Sequence, residues 1–189
     1  MNPQGYFEVI LLACWIVFVG YWIYSAPKAK RTVGSSFFGA GIAWRLLIVI
    51  AVVAIAKVQP HILLQTFVTS SLWWGVLSCA LAIAGVCIAI WARYYLGCNW
   101  GMPMTVKENA ELVTSGPYKW IRNPIYTGVM LILIGSGLVA GVWWLIICLG
   151  TVAYFILSVF QEEKIMLKAF PNTYPAYKAR TWRLVPFIF

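Results

Sequence analysis

Charge is scarce in this chain. Lys, Arg, Asp and Glu make up 10% of the 189 residues, where an ordinary soluble domain carries about a quarter. Two stretches, Gln59 to Ala92 and Asn123 to Gln161, hold no charged residue at all. With 62% hydrophobic residues and a mean hydropathy of +0.84, a cytosolic fold is excluded. Disorder is excluded as well, because 11 Trp, 10 Tyr and 10 Phe are the reverse of a disordered composition. There is one histidine, His61, so zinc chemistry has no second imidazole to work with. The five cysteines (Cys14, Cys79, Cys87, Cys98, Cys148) have no C-x-x-C spacing, and their odd number leaves one unpaired. They read as small buried hydrophobes, not as a metal site or a disulfide framework. Internal repeats and low-complexity runs are also missing. The remaining reading is an integral membrane protein.

Long apolar runs are what the chain has. A spanning helix needs roughly 20 mostly apolar residues. Residues 6–24 form the first candidate, without a basic stretch ahead of them, which reads as a retained anchor and not a cleaved signal. Residues 37–58, interrupted by Arg45, form the second, and 72–96 the third. The run from Ile125 to Phe160 is too long for one span. With Gly135, Gly137 and Gly141 in its middle it predicts two spans, 125–138 and 142–160, turning near Gly137–Val142. The predicted fold is therefore an all-α integral membrane protein of five transmembrane helices, the last two a tight helical hairpin, forming one domain over 1–189. Gly137-x-x-x-Gly141 fits a small-residue helix contact, but falls at the predicted turn.

Net charge is +9, and its placement sets the orientation. Segments 25–36, 93–124 and 161–189 carry 12 of the 14 basic residues, and alternating spans put all three on one side. The positive-inside rule then places the N-terminus outside and the C-terminus in the cytosol. This is loop asymmetry, so no nucleic-acid partner is expected. The expected partner is the lipid bilayer, with a membrane lipid or lipidated substrate and no obligate protein partner.

Two cytosolic segments, 97–124 and 161–189, are too rich in turn residues, aromatics and charge to be plain connectors. In the first, Gly116-Pro117 makes a turn that can open a short helix. Pro124 suits the first position of the fourth span, which makes Asn123 its N-cap. The resulting helix N-terminus beside Arg122 suits a carboxylate or phosphate. In the second, Glu162 and Glu163 follow the fifth span directly. Tyr174 and Tyr177 share a helix face, and Arg183 closes the segment. Taken singly, each feature has a structural explanation: Arg122 snorkelling to lipid phosphates, the glutamates pairing with Lys164 or Arg122, and Tyr118, Trp120 and Tyr126 as interfacial aromatics. Their convergence on one membrane face points to a site.

The order Leu112-Val113-x-x-Gly116-x-Tyr118-x-x-x-Arg122-Asn123-Pro124-x-Tyr126-x-Gly128, followed by Glu162-Glu163, Phe170, Tyr174, Tyr177, Arg183 and Pro186, resembles the isoprenylcysteine carboxyl methyltransferase family and the related phospholipid methyltransferases. The resemblance covers the chain from roughly Leu96 onward. It implies S-adenosylmethionine-dependent methyl transfer at the membrane surface. It also implies a cofactor site lined by Leu112, Val113, Gly116 and Tyr118 at the adenosine end and by Asn123, Pro124 and Tyr126 at the methionine end, with Glu162 holding a polar group. Arg122, Tyr126 and Glu163 become the candidate catalytic residues, and Arg45 and Arg183 the candidate substrate-binding ones. No metal is implied. Two positions depart from the family pattern: Asn123 stands where the family often has His, and Ser158 where the carboxyl methyltransferases have Arg. Arg45, about eight residues or ~12 Å inside the second span, either supplies the missing cation or snorkels to the cytosolic interface.

The expected reaction is a direct in-line displacement, with alignment and water exclusion supplying about 7–11 kcal/mol. A lipophilic carboxylate acceptor is favoured and needs no general base. An amine acceptor, as in a phospholipid N-methyltransferase, would need one, and Glu163 or Tyr126 would serve. An NADPH-dependent enzyme of the sterol-reductase type and a non-enzymatic membrane protein are the alternatives.

Overall fold

The computed structural model describes residues 3–35, 72–101, 105–140 and 142–188. The second expected span (37–58), with Arg45, and the uncharged loop 59–71 lie outside these residues. The described chain is helical apart from one short ribbon. Helix α1 covers Pro3–Ser25, α2 Leu72–Leu96, α3 Pro124–Ala140, α4 Val142–Ala169 and α5 Tyr174–Ala179. Strands β1 (Thr32–Ser35) and β2 (Thr105–Lys107) pair antiparallel, with a register shift between Thr32 and Gly34.

An apolar run in hydrocarbon has no water for its amides, so it satisfies them internally as helix. The segments Gln4–Lys28 and Leu72–Asn99 are long and apolar enough to cross a bilayer. Their outer faces are bare: Leu12, Ile16 and Ile23 on α1 and Trp73 on α2 are all more than half exposed, as are Leu149 and Leu157 on α4. Large side chains exposed in that number suit lipid, not water. Helix α3, with 17 residues, is about 25 Å long.

Helices α2 and α3 meet backbone to backbone. Ser78, Ala82, Gly85 and Ala89 line one stripe of α2 at three- and four-residue spacing, opposite Gly128, Ile132 and Gly135 of α3. A Cβ at Gly85 would come within 2.5 Å of Gly128 O, and one at Gly128 within 2.6 Å of Gly85 O. Ser78 Oγ donates to Gly135 O at 2.6 Å. Small residues allow this approach, and the hydroxyl adds a hydrogen bond where water is absent. The small-residue pattern at this contact runs through Gly128 and Gly135. Helix α1 joins through Trp15 Nε1, which donates to Ser136 Oγ at 3.0 Å.

Helix α4 begins at Val142, two residues after α3 ends at Ala140. Trp144 Nε1 donates to Leu133 O at 3.0 Å, and the ring of Tyr126 stacks on Phe155. Two expected boundaries move. Helix α3 runs on to Ala140, and α4 continues past Phe160 to Ala169. The extension, Gln-Glu-Glu-Lys-Ile-Met-Leu-Lys-Ala, consists of helix formers, and it stops where Pro171 disfavours helix at Phe170. Glu162 and Glu163 therefore sit on a rigid helix and not on a loop.

Arg93 holds the C-terminal ends of α1 and α2 together. Its residue is 2% exposed. Nη2 donates to Ser25 O (2.7 Å) and Nη1 to Gly97 O (2.6 Å), while the guanidinium lies 4.8 Å from the Trp100 ring centroid. A cation on the last carbonyls of a helix satisfies orphan acceptors and the negative dipole end together.

Candidate functional site

Three pieces distant in sequence are laced together at the end of the bundle where α3 begins. The first is the elbow before α3. Pro117 opens a 3-10 turn over Gly116–Lys119, a position where its missing N–H costs nothing. Gly116 has φ +58° and lies against the Tyr95 ring, so only a residue without Cβ fits. The second piece is the tail. Ile121 and Trp182 form a parallel bridge: Trp182 N donates to Trp120 O (3.0 Å), Arg122 N to Trp182 O (2.8 Å) and Asn123 N to Arg183 O (3.1 Å). Side chains repeat the stitching. Asn123 Nδ2 donates to Arg183 O (3.2 Å), Thr127 Oγ1 to Leu184 O (2.6 Å) and Tyr177 hydroxyl to Tyr118 O (2.8 Å). Tyr174 and Tyr177 are both buried on one face of α5, with rings 5.9 Å apart.

The third piece is the end of α4. Glu163, 5% exposed, takes Arg122 Nη2 and Lys178 Nζ at 2.8 Å and Arg183 Nε at 2.9 Å. Arg122 also donates to Lys178 O (3.0 Å), Thr181 Oγ1 (3.1 Å) and Thr181 O. Burial raises the Glu163 carboxyl, but the hydrogen bonds from Lys178, Arg183 and Arg122 outweigh it and hold the group below its ordinary range. Burial pushes the Tyr118 and Tyr177 phenols up, and Tyr174 to about 12, so these rings remain neutral hydrogen-bond donors.

Between these pieces lie two connected lobes. The smaller, about 140 Å³, lies among Leu112, Val113, Phe170, Tyr174 and Tyr177. The larger, about 400 Å³, opens between the helices among Phe18, Trp22, Trp100, Tyr126 and Phe155. Tyr118, Arg122, Asn123 and Glu162 line both, so the lobes meet at the elbow. At this seam the Tyr126 hydroxyl donates to Glu162 Oε1. The Tyr126 ring is stacked on Phe155 at 4.4 Å and 7°. Arg122 Nε is buried with no hydrogen-bond partner among the described residues. Over the smaller lobe, Lys30 Nζ donates to Asn109 O (2.7 Å), Asn99 Oδ1 (2.9 Å) and Glu111 Oε1 (3.2 Å), tying the chain after α1 to the wall of the cavity.

Of the residues named from sequence, Leu112, Val113, Tyr118, Arg122, Asn123, Tyr126, Glu162 and Glu163 all line one or both lobes. Gly116 and Pro124 do not; the first shapes the elbow and the second is buried at the start of α3. Arg183 faces Glu163, and Arg45 lies outside the described residues. Sequence reasoning missed Phe155, Val159 and Met166. The signal was present: together with Glu162 they follow a four-three-four spacing, which is one stripe of a helix. It also missed Phe18 and Trp22, which reach the site only through tertiary packing.

Residues 71–173 match the family described as phospholipid methyltransferase. The uncharacterized protein YpbQ of Bacillus subtilis (strain 168) is 31% identical over 98 residues. That alignment covers 52% of this chain and 54% of the relative, so the chain spans about half the length of the protein it matches.

Proposed function

The chain belongs to the phospholipid methyltransferase family, and from that premise we propose that it transfers the methyl group of S-adenosylmethionine to a lipophilic acceptor at the membrane surface. The carrying observation is the two-lobed cavity whose seam is Tyr118, Arg122, Asn123 and Glu162. A group transfer needs two ligands meeting at one point, and this geometry supplies a smaller lobe and a larger, more apolar one with a shared wall.

The residues present fit the cofactor. Leu112 and Val113 offer backbone groups and apolar surface to an adenosine moiety, with Tyr118 closing the elbow, whose shape Gly116 and Pro124 fix. The buried Arg122 Nε and the Asn123 side chain are donors for a carboxylate at the start of α3, where the helix dipole adds positive potential. The aromatic faces of Tyr126 and Phe155 suit a cation. When bound, S-adenosylmethionine supplies an electrophilic methyl carbon. The protein's contribution is to align the acceptor and to keep water out of the seam, which the lacing of tail to elbow accomplishes.

The larger lobe lies among apolar side chains of α1, α3 and α4, which suits an acceptor entering from the bilayer through a five-span bundle, with the N-terminus outside and the C-terminus cytosolic. A carboxylate acceptor would need a cation beside it. Among the described residues Arg122 and Arg183 both serve Glu163, and Ser158 turns its hydroxyl back onto Tyr154 O at 2.8 Å. Among the described residues this distribution favours the amine acceptor over the carboxylate.

The test is calorimetric binding of S-adenosylhomocysteine to the detergent-purified chain, with NADPH as control. Saturable binding of the former alone is expected. Binding of NADPH alone would move the protein to the reductases, and binding of neither would remove the methyl-transfer reading.

A further inference from the structure

Two adjacent glutamates follow the membrane segment of α4, and they have different surroundings. Both oxygens of Glu163 face cations: Oε1 meets Arg122 and Arg183, and Oε2 meets Lys178. A carboxylate held that firmly in its charged form is a poor proton acceptor. Glu162 is one residue on, about 100° round the helix, and its oxygen accepts a hydrogen bond from a phenol.

We propose that Tyr126 and Glu162 form a proton-accepting pair at the junction of the two lobes, serving an acceptor whose nucleophilic atom arrives still carrying its proton. The inference rests on the methyl-transfer reading above. Glu162 lines both lobes, while Tyr126 lines the larger, apolar one. Tyr126 therefore stands on the acceptor's side, and the carboxylate it bonds to stands at the seam. The ring is fixed from behind by Phe155, 4.4 Å away and nearly parallel, so the pair needs no reorganisation before use. The remaining polar groups on this wall do not compete for the task. Tyr126 is the phenol of this wall that is hydrogen-bonded to a carboxylate, while Arg122 and Asn123 bond to the tail.

The step balances. The acceptor's X–H proton passes to the Tyr126 oxygen as the Tyr126 proton passes to Glu162. The electron pair left on X forms the bond to the methyl carbon, and the methyl–sulfur bond breaks with its electrons remaining on sulfur. One carboxylate and one sulfonium become a carboxylic acid and a thioether, so net charge is zero on both sides for a hydroxyl acceptor and +1 on both sides for an ammonium, which leaves as its methylated ammonium. The proton on Glu162 then leaves to water. A lipid-borne hydroxyl or ammonium head meets this description, and a carboxylate, which arrives ionised, does not.

The experiment uses the full chain in detergent micelles with four probes: dodecylphenol, its dinitro derivative (ionised at neutral pH), dodecylamine and laurate. Methyl transfer from labelled S-adenosylmethionine and calorimetric binding of S-adenosylhomocysteine are measured for wild type, Glu162→Gln and Tyr126→Phe. Wild type is expected to methylate dodecylphenol or dodecylamine in preference to laurate, and the arm that responds tells hydroxyl from amine. Glu162→Gln is expected to lose about 10²–10⁴-fold on that acceptor. The same variant should bind S-adenosylhomocysteine within about threefold of wild type and keep transfer to the pre-ionised dinitro derivative within about tenfold, since that probe has no proton to lose. Tyr126→Phe should follow the same pattern. Equal loss on both phenols, retained transfer to dodecylphenol, preference for laurate, or no transfer to any probe while S-adenosylhomocysteine binds would each overturn the assignment. So would loss of S-adenosylhomocysteine binding in Glu162→Gln, which would make the carboxylate a cofactor ligand. Failure of wild type to bind S-adenosylhomocysteine is a different result and defeats the methyl-transfer reading itself.

Discussion

Replacing Glu163 with Gln tests the lacing of tail to elbow. The side chains of Arg122 and Glu163 are each 6% exposed, so the substitution leaves a buried guanidinium facing a neutral amide. Removing one partner of such a pair costs about 3–5 kcal/mol. Lys178 and Arg183, at 36% and 28% side-chain exposure, turn to solvent and add little, as solvent-screened pairs contribute about 0–1 kcal/mol. For a chain of this length each kcal/mol moves the midpoint by about 2–4 °C, so a drop of about 6–20 °C is expected in a thermal melt of the detergent-solubilised protein. The pairing of Glu163→Gln with Arg122→Met removes the stranded charge and should recover part of the loss, short of wild type because Arg122 also holds the Thr181 and Lys178 carbonyls. Acid gives an independent reading. A carboxyl held below its ordinary value of 4.5 when folded stabilises fully above that pH, and the contribution disappears as pH falls through the lowered value. Wild type should therefore lose stability below pH 4.5 more steeply than Glu163→Gln. The reasoning is refuted if Glu163→Gln melts with wild type while its methyl transfer collapses, because Glu163 would then be a base and not a structural hub.

Gly116→Ala places a Cβ at φ +58° against the Tyr95 ring; a left-handed conformation costs about 1–2 kcal/mol, and the displaced elbow should weaken S-adenosylhomocysteine binding in calorimetry. Gly128→Val drives a branched side chain into the Gly85 carbonyl and Ala89, and overpacking of about 1–3 kcal/mol should lower the melting midpoint without a specific effect on ligand affinity per folded molecule. Tyr177→Phe leaves the buried Tyr118 carbonyl without its 2.8 Å donor at about 1–3 kcal/mol, and loosened ordering of residues 174–184 should show as faster amide exchange there.

The membrane helices were legible because their signal is a sum over twenty residues: α2 coincides with its expected span at both ends, and α1 extends three residues before and one after. The elbow was legible for a different reason, since Gly116, Pro117 and Pro124 act on their own backbone. What sequence could not show is everything that depends on which surfaces meet. The ribbon of β1 with β2 joins segments some seventy residues apart. Arg93, read as part of a basic cytosolic cluster, is buried on the carbonyls of Ser25 and Gly97. The α2–α3 contact depends on Gly85 and Gly128 facing each other, which no periodicity in either helix alone reveals.

The two glutamates are the sharpest instance of that limit. As neighbours in sequence they have the same chemistry, and every argument from composition or spacing treats them alike. On α4 they diverge by about 100°, which is enough to put one against the cationic tail and the other against Tyr126 of α3. The extension of α4 past Phe160 makes the divergence possible, because on a loop neither orientation would be fixed. Exchanging the environments is then the decisive perturbation. In Lys178→Met with Arg183→Leu, Glu163 retains Arg122 as a partner, and its carboxyl should rise toward the ordinary range, shifting acid unfolding to higher pH. Glu162, held by Tyr126 on the other face, should leave S-adenosylhomocysteine affinity and the phenol selectivity of the surviving folded fraction unaltered. If the selectivity moves with the tail cations instead, the two carboxylates act as one coupled group and the division between a structural and a reactive glutamate is wrong.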